Sequence, residues 1–122
     1  MRVLLELPNV PAVIAAAVEG LCAANAVILS VRPDMPDLYE SGVRYRAEDR
    51  ERWTHCLDVL RRGYGDCEDL AAWRCAELRV REAEPARCVV KRTGRRTLHV
   101  LVRRADGRIE DPSRLLGMGA TQ

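Results

Sequence analysis

Residues 63–79 read Gly-Tyr-Gly-Asp-Cys-Glu-Asp-Leu-Ala-Ala-Trp-Arg-Cys-Ala-Glu-Leu-Arg, and no other stretch limits the fold as strongly. Gly63 and Gly65 loosen the backbone, Asp66 can accept hydrogen bonds from the first free N–H groups of a helix, and Cys67 then takes its first position. A thiol there faces the positive end of the helix dipole, which favours the nucleophilic thiolate. Ala71, Cys75 and Leu78 follow at helical spacing and are expected to face inward behind the cysteine.

At 122 residues the chain is read as one domain, 1–122, long enough to bury a core without disulfide or metal staples. Phe is absent and the aromatics are two Trp and three Tyr, so the core must be mostly Leu, Val, Ile and Ala. Residues 1–52 are expected to hold an N-terminal helix and an irregular connector, 53–117 the catalytic-type core, and 118–122 a fraying tail. Met1–Leu7 could be a strand or a packed arm. Apolar residues from Val13 to Ile28 recur at helical spacing, with Asn9 or Val10 as cap, Pro11 in the first turn and Pro33 as the stop. Residues 10–31 are long enough to span a bilayer, but Glu19, Gly20, Asn25 and many alanines favour a buried core helix. Residues 32–52 read as a connector laid over the surface, with Val43-Arg44-Tyr45 its only strand-like trace.

Trp53–Arg62 suggests a helical turn or two leading to Gly63. Beyond Pro85, strands are expected over Ala86–Lys91, Thr97–Arg103 and Arg108–Asp111, joined by turns at Thr93-Gly94-Arg95 and Ala105-Asp106-Gly107. Pro112 closes the last. The order, helices first and then a small antiparallel sheet of about three strands, is that of an α+β domain.

A formal charge of +2, from 20 basic and 18 acidic residues, argues for no nucleic-acid partner, and the Arg pairs carry no interleaved aromatics for base stacking. Five cysteines, odd in number and without CxxC spacing or a recognisable signal peptide, read as reduced thiols. Cys67, Cys75, Cys88 and His99 match no common zinc spacing, so no metal or cofactor is expected. The location expected is the cytoplasm, with no membrane association.

A thiolate needs a base to shuttle its proton and a group to hold that base. His55 lies on the amphipathic turn, the ordinary place for a surface histidine. His99 sits mid-strand between Leu98 and Val100, and Asp111 ends the next strand. A two-residue loop at Asp106-Gly107 would send Asp111 to the face away from His99. A three-residue loop over 105–107 pairs Arg104 with Arg108, puts Asp111 opposite Leu101, and so places it diagonal to His99 on the same face. This requires Gly107 at positive φ.

Gly65-Asp66-Cys67-Glu68-Asp69-Leu70-Ala71, the helix closing in Ala76-Glu77-Leu78-Arg79, Pro85-Ala86-Arg87 entering a strand, Leu98-His99-Val100 and Glu110-Asp111-Pro112-Ser113 together resemble the transglutaminase-like superfamily. Within it they are most similar to the small transglutaminase-like proteins of phages and prophages, over residues 53–117. The resemblance implies a papain-like fold, with Cys67 as nucleophile, His99 as base, Asp111 as orienter and Asp69 as a helix-start residue. It implies acyl transfer from a peptide or protein amide through a thioester, to water or to an amine, by a virion-associated or host-cytoplasmic protein. The competing expectation is a non-catalytic phage structural or assembly protein with a vestigial triad, docking to other virion proteins. The chain has Val100 where such proteins often carry an aromatic after the histidine. The Cys67 N–H is expected at the oxyanion site, with Trp53 and Tyr64 as side-chain candidates. Asp66, Glu68 and Asp69 surround the cysteine with charge that opposes the helix dipole, so activation leans on His99.

Overall fold

The computed structural model describes residues 3–4, 10–48, 52–95 and 97–119. Asn9, most of the expected arm 1–7 and the end of the tail, 120–122, lie outside them. The described chain is mixed helix and sheet: β1 (Val3–Leu4), α1 (Pro11–Val31), a 3-10 turn (Leu38–Glu40), β2 (Arg44–Tyr45), β3 (Arg52–Trp53), α2 (Cys56–Arg62), β4 (Tyr64–Gly65), α3 (Cys67–Arg81), β5 (Arg87–Arg92), β6 (Leu98–Arg103), β7 (Ile109–Glu110) and α4 (Pro112–Leu115).

β5, β6 and β7 form the expected antiparallel sheet, in that order. One sheet face is covered by the two long helices, α1 packing on β5 and α3 on β6. Val100 and Val102 point into this seam, opposite Val90 and Cys88, and α3 answers with Ala71, Ala72, Cys75 and Leu78, all buried. Small residues on α3 let it sit close beside α1, and Trp73, wholly buried, fills the volume that the missing Phe would otherwise take.

Helix α1 starts at Pro11 with Val10 as its cap residue, without a side-chain cap bond. It buries Ile14, Val18, Cys22, Asn25 and Leu29, a stripe of period three to four, and leaves Val13, Val27 and Val31 exposed. Asn25 belongs to the fold: its Oδ1 accepts the Cys56 N–H at 2.8 Å and so ties the start of α2 to α1. By length and composition α1 could cross a membrane.

Two expectations need correction. The connector over 32–52 is not simply laid over the surface: it buries Met35, Leu38 and Val43, and Arg44–Tyr45 pairs in parallel with Tyr64–Gly65. Isolated apolar residues at irregular intervals have no period from which burial can be read. Trp53 likewise is not in a helical turn but in β3, paired antiparallel with Val3–Leu4, and α2 starts only at Cys56. The His55 ring caps that helix, Nδ1 accepting the Asp58 N–H.

The β6–β7 hairpin has the three-residue loop. Arg104 N donates to Arg108 O at 2.7 Å, Gly107 N to Arg104 O at 2.9 Å, and Val102 pairs with Glu110. Gly107 has φ 91°. A Cβ there would meet no atom within 4 Å, so the cost of a side chain is backbone strain alone. Gly107→Ala is therefore expected to lower stability by roughly 1–2 kcal/mol, read as a lower urea midpoint with an unchanged m-value.

Candidate active site

Asp66 and Asp69 build the start of α3 as a capping box. Asp66 Oδ1 accepts the Cys67 N–H at 2.7 Å, and Asp69 Oδ2 accepts the Asp66 N–H at 3.2 Å. Asp69 is wholly buried and also accepts the Thr54 N–H at 2.9 Å and Arg62 Nη2 at 3.0 Å. Burial lifts its pKa to about 7 in spite of these donors. Close packing completes the seat: a Cβ on Gly65 would come within 3.1–3.3 Å of Leu70, Asp69 and Val59.

His99 and Asp111 meet. The His99 Nε2 lies 3.1 Å from Asp111 Oδ1 and 3.0 Å from Oδ2. Their side chains are largely shielded from solvent. Among the described residues Nδ1 has no hydrogen-bond partner. The neighbouring residue explains why Asp111 is held here. Glu110 turns to the other face and binds Arg74 of α3, Nε to Oε2 at 2.6 Å, so strand alternation sends Asp111 to the His99 side. Tyr39 OH and Arg104 also bind Glu110. Burial opposes ionisation of Glu110, but hydrogen bonds from Arg74 and Tyr39 hold its pKa below the ordinary value.

Cys67 reaches the same strand one residue further along. The Val100 N–H is aimed at its sulfur and favours the thiolate, but the net effect runs the other way. Burial first, then the charges of Glu68 and Asp66, push the thiol pKa up. The Cys67 thiol bonds Glu68 Oε2 at 3.5 Å and does not bond His99. Glu68 is itself buried, and desolvation with Asp69 and Asp66 nearby raises its pKa well above the ordinary value. Burial thus opposes ionisation of both partners in this contact.

The expected role of the Cys67 N–H at an oxyanion site is corrected, since that N–H is spent on the Asp66 cap. Tyr64 lies between two guanidinium groups, with Arg46 at 4.7 Å and Arg62 at 4.5 Å from its ring. Among the described residues, the buried Trp53 Nε1 has no hydrogen-bond partner.

Two residues at the site were not singled out from the sequence as part of it. Glu68 was legible only as a charge beside the cysteine, not as a buried acid touching the thiol. Tyr45 comes in from β2. Burial, then the charges of Asp66, Cys67, Glu68 and Asp111, push its phenol pKa up to about 12. Asp66, Cys67 and Glu68 each bring a ligand atom within 4.8 Å of the others. Asp66 Oδ1 and Oδ2 already accept the Cys67 and Glu48 N–H groups, and burial opposes ionisation of the other two side chains, so the trio is a hydrogen-bonded cluster and a poor cation site.

No protein-family model matches the chain, and no curated protein or solved structure matches it.

The raised pKa of Glu68 has a sign that can be tested. The folded state binds its proton more tightly than the unfolded state, so the contribution is full below the unfolded value of about 4.3 and is lost as pH rises above it. Glu68→Gln keeps the neutral form at every pH. Relative to the native chain, its stability is expected to climb as pH rises above about 4.3, with a slope of at most about 1.4 kcal/mol per pH unit. Urea denaturation of both proteins at a series of pH values gives that slope; a flat difference would mean an ordinary Glu68.

Proposed function

We propose that this chain is a thiol-dependent acyl-transfer enzyme of transglutaminase-like type, with a papain-like arrangement of Cys67, His99 and Asp111. The observation that carries the reading is the grip of both Asp111 oxygens on His99 Nε2, which leaves Nδ1 free on the strand that the Cys67 sulfur touches. A carboxylate on Nε2 fixes the ring and its tautomer, and makes the opposite nitrogen the proton acceptor.

In this mechanism substrate entry turns the Cys67 thiol from Glu68 to His99 Nδ1. His99 takes the proton as sulfur attacks the amide carbon, then delivers it to the departing amine. A thioester remains on Cys67, and water or a second amine, deprotonated by His99, resolves it. Asp111 stabilises the imidazolium formed on the way. Trp53, whose indole N–H is buried and has no hydrogen-bond partner among the described residues, is the side-chain donor proposed for the oxyanion. It directly precedes Thr54, which anchors Asp69 at the start of α3. The substrate is a peptide amide, with a cell-wall stem peptide fitting the phage or prophage setting that the sequence resemblance implies.

A second reading has an observation of its own. Cys67 is 8% exposed and its thiol is held protonated, while α1 presents Val13, Val27 and Val31 to solvent. Both features suit a phage assembly protein that keeps the triad without using it.

Mass spectrometry of the intact chain separates the two. Incubation with a blocked glutaminyl dipeptide or with cell-wall stem peptides, using hydroxylamine as acceptor, is expected to give an acyl adduct on Cys67 and a hydroxamate product. Both should vanish in Cys67→Ala. Turnover should fall at least about 100-fold in His99→Ala and in Asp111→Asn. Absence of adduct and product with every donor would favour the assembly role.

A further inference from the structure

His99 and Asp111 meet on the sheet face turned away from α1 and α3, and strand register decides what else stands there. Val100 and Val102 point into the helices, so by alternation His99, Leu101 and Arg103 point the other way, and their partners in the neighbouring strands with them. Arg103 stands between Arg87 and Ile109, Leu101 between Val89 and Asp111, and Lys91 opposite His99. Arg87, Lys91 and Arg103 are exposed. Beside Arg103, a hollow of about 310 Å³ lined by Ile109, Leu115, Arg108 and Arg114 reaches Asp111.

Basic residues on a sheet often serve only to keep edge strands from pairing with other chains. That accounts for Arg87 and Lys91 on the outer strand β5, but Arg103 is on the middle strand, which has no free edge. Its place is also unfavourable, because like charges directly opposite each other destabilise a strand pair. Among the described residues no carboxylate offsets the two arginines. Asp111 is held by His99, and Glu19, which the charge of Arg87 reaches, has both oxygens on Arg79. Among the described residues Lys91 and Arg103 make no ion pair. Arg108 pairs with Asp106 of its own hairpin, and Arg114, 72% exposed, lies 3.8 Å from Asp111. Two opposed arginines without a counter-ion, next to the exposed aliphatic side chains of Ile109 and Leu115, fit a carboxylate carried on an apolar chain.

We propose that this face binds an acidic peptide segment, its carboxylate shared by Arg87 and Arg103 and a neighbouring aliphatic side chain set in the hollow of Ile109 and Leu115. The inference rests on the acyl-transfer reading for what the segment presents, an amide to Cys67 and His99. Arg103 is four residues along β6 from His99, about 13 Å, a span that roughly four residues of extended peptide cover. The preferred substrate therefore carries Glu or Asp at about that separation from the amide that is attacked. A nucleic acid fits less well, because the centre of the face is Val89 and Leu101 and offers no aromatic ring for stacking.

The test is calorimetric titration of the full-length chain, native and Cys67→Ala, with acetyl-Glu-Glu-Leu-Ala-Gln-Ala-Leu-Glu-Glu-amide, and with the same peptide carrying Ser or Lys at the Glu positions. The Glu peptide is expected to bind both proteins at least about tenfold tighter than the Ser peptide, with affinity that falls as salt rises. The Lys peptide should not bind. Arg103→Gln and Arg87→Gln should each lose at least about tenfold, while Arg61→Gln on α2 keeps the native affinity. Both arginines are exposed, so these variants are expected to fold, with a melting temperature equal to the native one or higher once the like-charge contact is gone. Equal affinity for the Glu and Ser peptides, undiminished binding in Arg103→Gln, or tighter binding of a single-stranded DNA oligonucleotide would each overturn the proposal. Turnover is read separately with hydroxylamine as acceptor. Glu-dependent binding without product supports this surface and removes the acyl-transfer reading, whereas product formed equally from Glu and Ser peptides supports that reading and overturns this one.

Discussion

The carboxylate of Asp69 is the junction on which the site half of the molecule depends. From inside the protein it receives the Thr54 and Asp66 N–H groups and the Arg62 guanidinium, so it joins the segment after β3, helix α2 and the first turn of α3. Arg62 extends the junction to the connector through Glu48 at 2.7 Å. Such a buried charge contributes little net stability once its desolvation is counted. Its effect is positional: three donors from three segments converge on one carboxylate and so fix the start of α3, and Cys67 is placed with it.

The second anchor works through strand alternation. Glu110 faces α3 and is held by Arg74 and Arg104, while Asp111, one residue on, faces His99. Arg104 in turn grips Glu84 through two nitrogens, tying the hairpin to the segment that follows α3. Helix, hairpin and histidine are thus in one register, because moving β7 by a residue would exchange the roles of Glu110 and Asp111. Asp111 also accepts the Arg114 N–H at the start of α4, so the residue that holds the imidazole turns the chain out of the sheet.

Electrostatics around Cys67 oppose its position at a helix N-terminus. The helix dipole and the Val100 N–H favour a thiolate; burial, Glu68 and Asp66 favour the thiol, and they prevail because desolvation of a buried anion exceeds the few tenths to about 1 kcal/mol a helix terminus supplies. Burial and the neighbouring carboxylates thus hold the thiol form at rest.

The sequence by itself determined what is local. Asp66 before Cys67 marked the helix start, Pro33 and Pro85 marked where helical structure stops, and the alternation around His99 with the Ala105-Asp106-Gly107 loop placed Asp111 beside it, since caps, turns and strand faces depend on residues a few positions apart. Tertiary structure alone decided that Glu68 lies buried against the thiol, that Tyr45 enters from a connector, and that Trp53 belongs to a strand. Tyr45 and Cys67 stand 22 residues apart, and Trp53 and its strand partner Val3 stand 50 apart. Burial and charge pairing at such separations follow from how helices and sheet pack, which no local pattern of residues encodes.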